Sequence, residues 1–76
     1  MEWKTEKNVL EKKFIFGNFK EAVNFVNRIM PLAEAADHHP DILIHSYKKV
    51  KVMLTTHSEG KITKKDYELA EKIDNI

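Results

Sequence analysis

Hydrophobic side chains along this chain change their period several times, and each change marks a predicted element. From Asn8 to Phe16, Leu10, Phe14 and Phe16 share one parity, with Lys12 between them and Ile15 on the other, which is the two-residue repeat of a half-buried strand. Trp3 to Glu6 offers a short partner strand, joined through Lys7-Asn8. Gly17-Asn18 then breaks the pattern, and Asn18 with Glu21 three residues later supplies an N-cap oxygen and a capping-box carboxylate. A helix follows to about Ala36. Its apolar face is read from Phe19, Ala22, Val23, Val26, Ile29, Met30 and Ala33, with Lys20, Asn24, Asn27 and Arg28 turned to water. Pro31 falls inside this stretch, where it removes a backbone donor and predicts a kink near Met30.

After Asp37-His38-His39-Pro40, Ile42, Leu43 and Ile44 open another strand that ends near Tyr47, and Lys48-Lys49 is the expected turn. Val50, Val52 and Leu54 alternate with Lys51, Met53 and Thr55 in the clearest strand pattern of the chain, which emerges at Thr56-His57. Ser58 to Lys61, with Gly60, reads as a loop. Thr63 and Asp66 form a second capping box, and Tyr67, Ala70 and Ile73 are the expected inward stripe of a final helix. The order strand, strand, helix, strand, strand, helix predicts an α+β two-layer sandwich, with both helices on one face of a four-stranded antiparallel sheet. Leu43, Met53 and Ile15 then lie on a face with no cover from the same chain, which predicts pairing with a second copy.

Length and composition narrow the picture. A chain of 76 residues forms one domain, here residues 1–76, and at this size only roughly 60% of the unfolded surface is buried. The 33% of charged residues and 42% of hydrophobic ones, with two glycines and two prolines, suit a folded domain and not a disordered segment. Thirteen cations against twelve anions leave a net charge of +1, and twelve of those cations are Lys, so no basic excess points to nucleic acid or to an anionic membrane. Without cysteine there is no disulfide, thiol nucleophile or Cys-based metal centre. No secretory or membrane-spanning segment is legible, and a soluble, cytoplasmic protein is expected.

Candidate chemistry is concentrated in four histidines. His38, His39 and His57 sit at predicted element ends, where side chains converge on clefts, whereas His45 lies mid-strand with Leu43 and Tyr47 on its parity. Adjacent histidines in an extended chain point to opposite sides, and neither an HExxH motif nor a Cys pair completes a metal set, so a metal site is not expected. Imidazole donates and accepts protons near neutrality. No Ser or Cys stands at a nucleophile elbow, so these histidines would move protons and not attack a substrate.

The string from Glu34 to Asp66 sharpens this reading. Glu34, the His38-His39-Pro40 triplet, Tyr47, His57 and Asp66, with Thr-Thr-His at the strand end and Ile-Thr-Lys-Lys-Asp-Tyr-Glu-Leu-Ala beyond it, resemble the signature of the pterin-4a-carbinolamine dehydratases. The resemblance implies a lyase that eliminates water from 4a-hydroxytetrahydropterin to give quinonoid dihydropterin, without metal or organic cofactor. It implies His38 and His57 as the principal acid-base residues and His39 as a third active-site histidine. Asp37, Thr55 and Thr56 match positions that line the pterin pocket together with the histidines. Glu34 and Asp66 match supporting positions behind them; Asp66 also reads as the Thr63 capping partner with a possible charge role beside His57, and Tyr47 reads as a packing residue. Many members of the family carry an additional helix ahead of the Trp3 region, and Lys65 stands where an Arg elsewhere makes bidentate contacts. The partners so implied are a small-molecule pterin and further copies of the chain in a homodimer or tetramer, with no membrane and no direct nucleic-acid contact. The competing reading is a non-catalytic dimerisation module of the same fold, of the kind that serves as a cofactor of transcription factors.

Overall fold

The computed structural model describes residues 3–76. Strand β1 (Lys4–Glu6) and strand β2 (Val9–Ile15) form a hairpin closed by Lys7 and Asn8, both with positive φ, in agreement with the pairing read from sequence. Helix α1 (Phe19–Ala36) follows, then strands β3 (Asp41–His45) and β4 (Lys49–Leu54), and helix α2 (Lys64–Asp74). The strands form one antiparallel sheet in the order β1-β2-β4-β3, so β4 is central although it is the last to be synthesised. This is the α+β architecture that the hydrophobic pattern predicts.

Cross-strand register explains the two faces. Leu10 pairs with Leu54, Phe14 with Val50, and Lys12 with Val52, which in turn faces Ile42; these side chains point toward the helices. Val50, Val52 and Leu54 are fully buried there against Ala22, Phe25 and Ile29 of α1 and Leu69, Ala70 and Ile73 of α2. Among the described residues, Lys12 is the one lysine or arginine buried in this layer. Its Nζ reaches Asp74 Oδ1 at 2.6 Å and lies 5.0 Å from the Phe14 ring centre, so its charge is met by a carboxylate and an aromatic face. On the opposite face, the aligned rows Glu11–Met53–Asp41, Lys13–Lys51–Leu43 and Ile15–Lys49–His45 mix charge with the apolar side chains foreseen there.

Several details depart from the sequence reading. The β3–β4 turn is Ser46-Tyr47-Lys48, with positive φ at Ser46 and Tyr47, and not Lys48-Lys49. Tyr47 therefore projects from a turn and is 61% exposed, where packing was expected, because its strand ends two residues earlier. The inward stripe of α2 is Asp66, Leu69, Ala70 and Ile73, at spacings three, one and three, while Tyr67 is exposed. In α1 the buried line runs through Ala22, Phe25, Ile29 and Ala33, leaving Phe19 and Met30 on its exposed flank. Helix α1 is unbroken from Phe19 to Ala36 with Pro31 inside it.

Both ends of α1 are closed by local chemistry. Asn18 Oδ1 accepts from the Glu21 backbone N–H at 2.8 Å, and Glu21 Oε1 returns to the Gly17 N–H at 2.8 Å. At the other end Asp37 adopts the left-handed region (φ 50°), which lets its own N–H reach the Glu34 carbonyl and that of His38 reach the Ala33 carbonyl. Replacing Asn18 with Ala should cost about 1 kcal/mol in a urea melt, the usual worth of an N-cap. No change in midpoint would show that the Asn18 oxygen does not hold this helix end.

Candidate active site

Three element ends meet at one corner of the molecule: the C-terminus of α1, the chain leaving β4, and the first turn of α2. The sequence shapes each for this junction. The turn of the chain at Asp37 releases His38 and His39 from the helix. The antiparallel β3–β4 register runs Asp41 against Met53, which carries Thr55, Thr56 and His57 toward the same end. Thr56 then bridges back to Lys61 around a tight turn in which Gly60 has φ +67°, and this brings Thr63 and α2 into position.

Asp66 is the hub. Its carboxylate is completely buried, and each oxygen has donors. Oδ2 accepts from the Thr63 backbone N–H at 2.8 Å and from the Thr56 hydroxyl at 2.8 Å; Oδ1 lies 2.5 Å from His38 Nε2. The Thr63 hydroxyl is 2.7 Å from that of Thr56. Because the Thr56 proton is committed to Asp66, Thr63 must donate to Thr56, which makes a directed chain of hydrogen bonds. Burial alone would raise the Asp66 carboxyl, but the His38 hydrogen bond, the Thr63 N–H, the Thr56 hydroxyl and the His38 charge together outweigh it and hold the group below its ordinary value of 3.8. An ionised carboxylate is an acceptor only, so His38 Nε2 carries a proton and Nδ1 is left as the ring position for chemistry.

His39 forms the second imidazole–carboxylate pair, with Nε2 2.7 Å from Glu34 Oε2. Here the environment is reversed: the side chains of His39 and Glu34 are 57% and 66% exposed, against 11% and 0% for His38 and Asp66. Consecutive residues of the chain thus diverge onto different carboxylates, and among the described residues no group of three His, Cys, Asp or Glu side chains is placed to hold a metal ion. His57 follows Thr56 directly and is exposed in the turn. Thr56 is buried with its hydroxyl taken up by Asp66 and Thr63, and Thr55 Oγ1 donates to the Asn8 carbonyl at 2.8 Å, so both threonine hydroxyls are engaged within the protein. Asp37 is exposed at the helix end. His45 sits at the far end of β3 on the open sheet face, its Nδ1 3.3 Å from Ser46 Oγ.

The structure therefore joins His38, Thr56, Thr63 and Asp66 in one hydrogen-bonded cluster with Asp37 and His57 next to it along the chain, sets the His39–Glu34 pair apart on the α1–β3 side, and leaves His45 at the far end of β3. It also corrects the placement of Asp66, whose charge partner is His38 and not His57. The Thr56–Thr63 link escaped the sequence reading. The burial of Asp66 had a legible signal, since Asp66 falls on the same helical line as Leu69, Ala70 and Ile73.

A carboxyl whose value is lowered by folding stabilises the native state above its unfolded value and loses that contribution as pH falls through its folded one. Stability should thus decline as pH falls below about 3.8, and Asp66→Asn should abolish that part of the decline while costing about 3 kcal/mol near neutrality, the scale for breaking a buried pair. Urea melts at a series of pH values would read both effects. A variant with the parental acid sensitivity would show that another carboxylate governs it.

The family model described as pterin 4 alpha carbinolamine dehydratase matches residues 1–76. A protein of Sulfurisphaera tokodaii named "Putative pterin-4-alpha-carbinolamine dehydratase" is 54% identical over 74 residues, which is 97% of this chain and 78% of that one. A similarly named protein of Picosynechococcus is 52% identical over 75 residues, covering 99% of this chain and 80% of its own. Among solved structures, a transcriptional coactivator/pterin dehydratase from Brucella melitensis superposes with a TM-score of 0.89 at 32% identity, over 96% of this chain and 79% of that one. A pterin dehydratase-like RuBisCO assembly factor of the alpha-carboxysome shares the fold, with a TM-score of 0.75 at 20% identity over 96% of this chain and 83% of its own. A match along the whole chain and relatives at half identity leave one assignment: this chain belongs to the pterin-4a-carbinolamine dehydratase family.

Proposed function

We propose that this protein eliminates water from a 4a-hydroxytetrahydropterin by histidine acid-base catalysis. The observation that carries the proposal is the buried Asp66 carboxylate clamped to His38 Nε2, with His57 exposed one residue beyond the Thr56 that shares the same carboxylate. A carboxylate behind an imidazole sets its tautomer, turns the other nitrogen outward and stabilises the imidazolium that forms when that nitrogen takes a proton. That is the equipment of a general base, and His38 Nδ1 is assigned to remove the N5 proton of the substrate. His57, exposed at the same corner, protonates the 4a hydroxyl as it leaves. The C4a–O bond breaks, a C4a–N5 double bond forms, and the products are water and quinonoid dihydropterin, with no change in oxidation state. His39, paired with Glu34 on the α1–β3 side of the corner, is assigned as an auxiliary imidazole at the margin of the site, and the exposed Asp37 carboxylate as a hydrogen-bond acceptor for the heterocycle. Neither metal nor organic cofactor is needed, since both protons move between substrate and imidazole.

We also propose that the active form is a homo-oligomer joined through the uncovered sheet. Leu43 and Ile15 are 50% and 67% exposed on that face, and a domain this small gains core by pairing. A reading as a binding module alone would leave unexplained why a carboxylate is buried to orient His38.

Replacing His38 or His57 with Ala should slow dehydration by about 100-fold or more, the scale of a positioned acid-base group. His45→Ala should stay near the parental rate. Stopped-flow ultraviolet absorbance of freshly generated 4a-hydroxytetrahydropterin would measure all three, and near-parental turnover in the His38 or His57 variant would refute its role. Light scattering should give at least twice 8.9 kDa, with Met53→Lys shifting the mass downward; a stable species at the monomer mass would refute the oligomer.

A further inference from the structure

A hydrogen-bonded path leads from Asp66 away from His38 and ends at Thr63, a residue that the proposed proton transfers do not use. Thr56 donates its only hydroxyl hydrogen to Asp66 Oδ2 at 2.8 Å, and Thr63, whose hydroxyl is 2.7 Å from that of Thr56, donates to it in turn. Thr63 therefore meets the carboxylate twice, through its own N–H at 2.8 Å and through Thr56. It does so from another side. Thr63 borders a cleft with Ser58, Glu59 and Lys64, whereas His38 borders a different one with Ala36, Leu69 and Lys72.

The start of α2 does not need this path. The Asp66 N–H already reaches the Thr63 carbonyl at 3.0 Å, and the Asp66 carboxylate already accepts from the Thr63 N–H. What the path changes is the carboxylate. Oδ2 holds two donors, the Thr63 N–H and the Thr56 hydroxyl, which leaves Oδ1 to His38 alone. A buried carboxylate pinned in this way cannot turn without giving up both contacts, and the Thr63 hydroxyl polarises that of Thr56 and makes it the stronger donor. Thr56 also anchors the turn that carries His57. Its carbonyl accepts from the Gly60 N–H at 2.9 Å, and its N–H reaches the Lys61 carbonyl at 3.1 Å.

We infer that Thr56 and Thr63 are positioning residues for the proposed dehydration: their hydroxyl chain fixes the orientation and charge of Asp66, and through it the tautomer of His38, while neither side chain touches substrate. This rests on the reading of the corner as a pterin site. Thr56 accordingly serves the carboxylate and not the heterocycle.

Thr56→Val and Thr63→Val keep the side-chain shape and remove the hydroxyl, whereas Thr56→Ser and Thr63→Ser keep the hydroxyl. The Asp66 carboxyl, followed by carbon NMR as pH falls, should titrate at higher pH in both Val variants, more so in Thr56→Val because it loses a direct donor, and at the parental position in both Ser variants. Among the described residues His38 is the one ionisable side chain hydrogen-bonded to Asp66, and Lys65, Glu68 and Lys72 border His38 from α2. These groups, and Asp37, His39 and His57 beside them in the chain, are the same in every variant, so the change reads the hydroxyl chain. In stopped-flow dehydration, kcat should fall about tenfold in the Val variants with KM unchanged, the scale for partners that orient an active group, and Ser should restore it. Thr56 is only 5% exposed, so if Thr56→Val fails to fold, Thr63→Val at its half-buried position carries the test. Parental Asp66 titration in Thr63→Val, a shifted titration with parental kcat, or Ser variants as impaired as the Val ones would each overturn the inference and leave the pterin reading standing. Absence of dehydration by the parental protein would overturn the pterin reading and the inference with it, whatever the titration shows.

Discussion

A carboxylate buried away from water must be surrounded by donors or it takes up a proton, and Asp66 imposes that condition on the whole domain. Its donors come from three places at increasing distance along the chain: the Thr63 N–H in the cap of the same helix, the Thr56 hydroxyl beyond the end of β4, and His38 beyond the end of α1. Satisfying one side chain therefore fixes where α2 begins relative to the sheet and where α1 ends relative to α2. The histidine corner is a product of that closure.

The far end of α2 is held by the same kind of contact. Asp74 accepts from Lys12 Nζ at 2.6 Å and from Trp3 Nε1 at 2.9 Å, tying the helix to β2 and to the chain before β1. Between these two carboxylates, Leu69, Ala70 and Ile73 provide the apolar contact with the sheet. An 11-residue helix with only three buried apolar residues gains little from burial alone, and directional contacts at its two ends set its position along the sheet.

His38 and His39 show how environment divides work between like residues. Both ring systems direct Nε2 at a carboxylate, yet one pair is enclosed and the other is open to solvent. The enclosed carboxylate cannot be screened and holds its imidazole in one tautomer and one orientation. The open pair is screened by water and free to exchange partners, which suits a group that meets an incoming ligand. Membership of the dehydratase family and the proposed proton transfers are both consistent with this division.

Local pattern was sufficient for much of this protein. Strand alternation in β2 and β4, the caps at Asn18 and Thr63, and the Lys7-Asn8 hairpin are all decided within a few residues, by side-chain parity, by a nearby oxygen or by a permissive turn, and all of them read directly from the chain. The signature from Glu34 to Asp66 contains His38 and Asp66, which the fold joins, and also Tyr47, which it places in the β3–β4 turn. Helix phase was less legible. The lines through Phe19 and Tyr67 are as apolar as those that are buried, and only docking against the sheet chose Phe25 and Leu69 instead. The pairing of His38 with Asp66 spans 28 residues and leaves no periodic or local trace. A turn residue such as Tyr47 is similarly undetermined until the register of β3 against β4 says where the strand stops. What tertiary structure alone decided was which of several chemically equivalent partners each polar group received, because that choice depends on distances between elements and not on spacing along the chain.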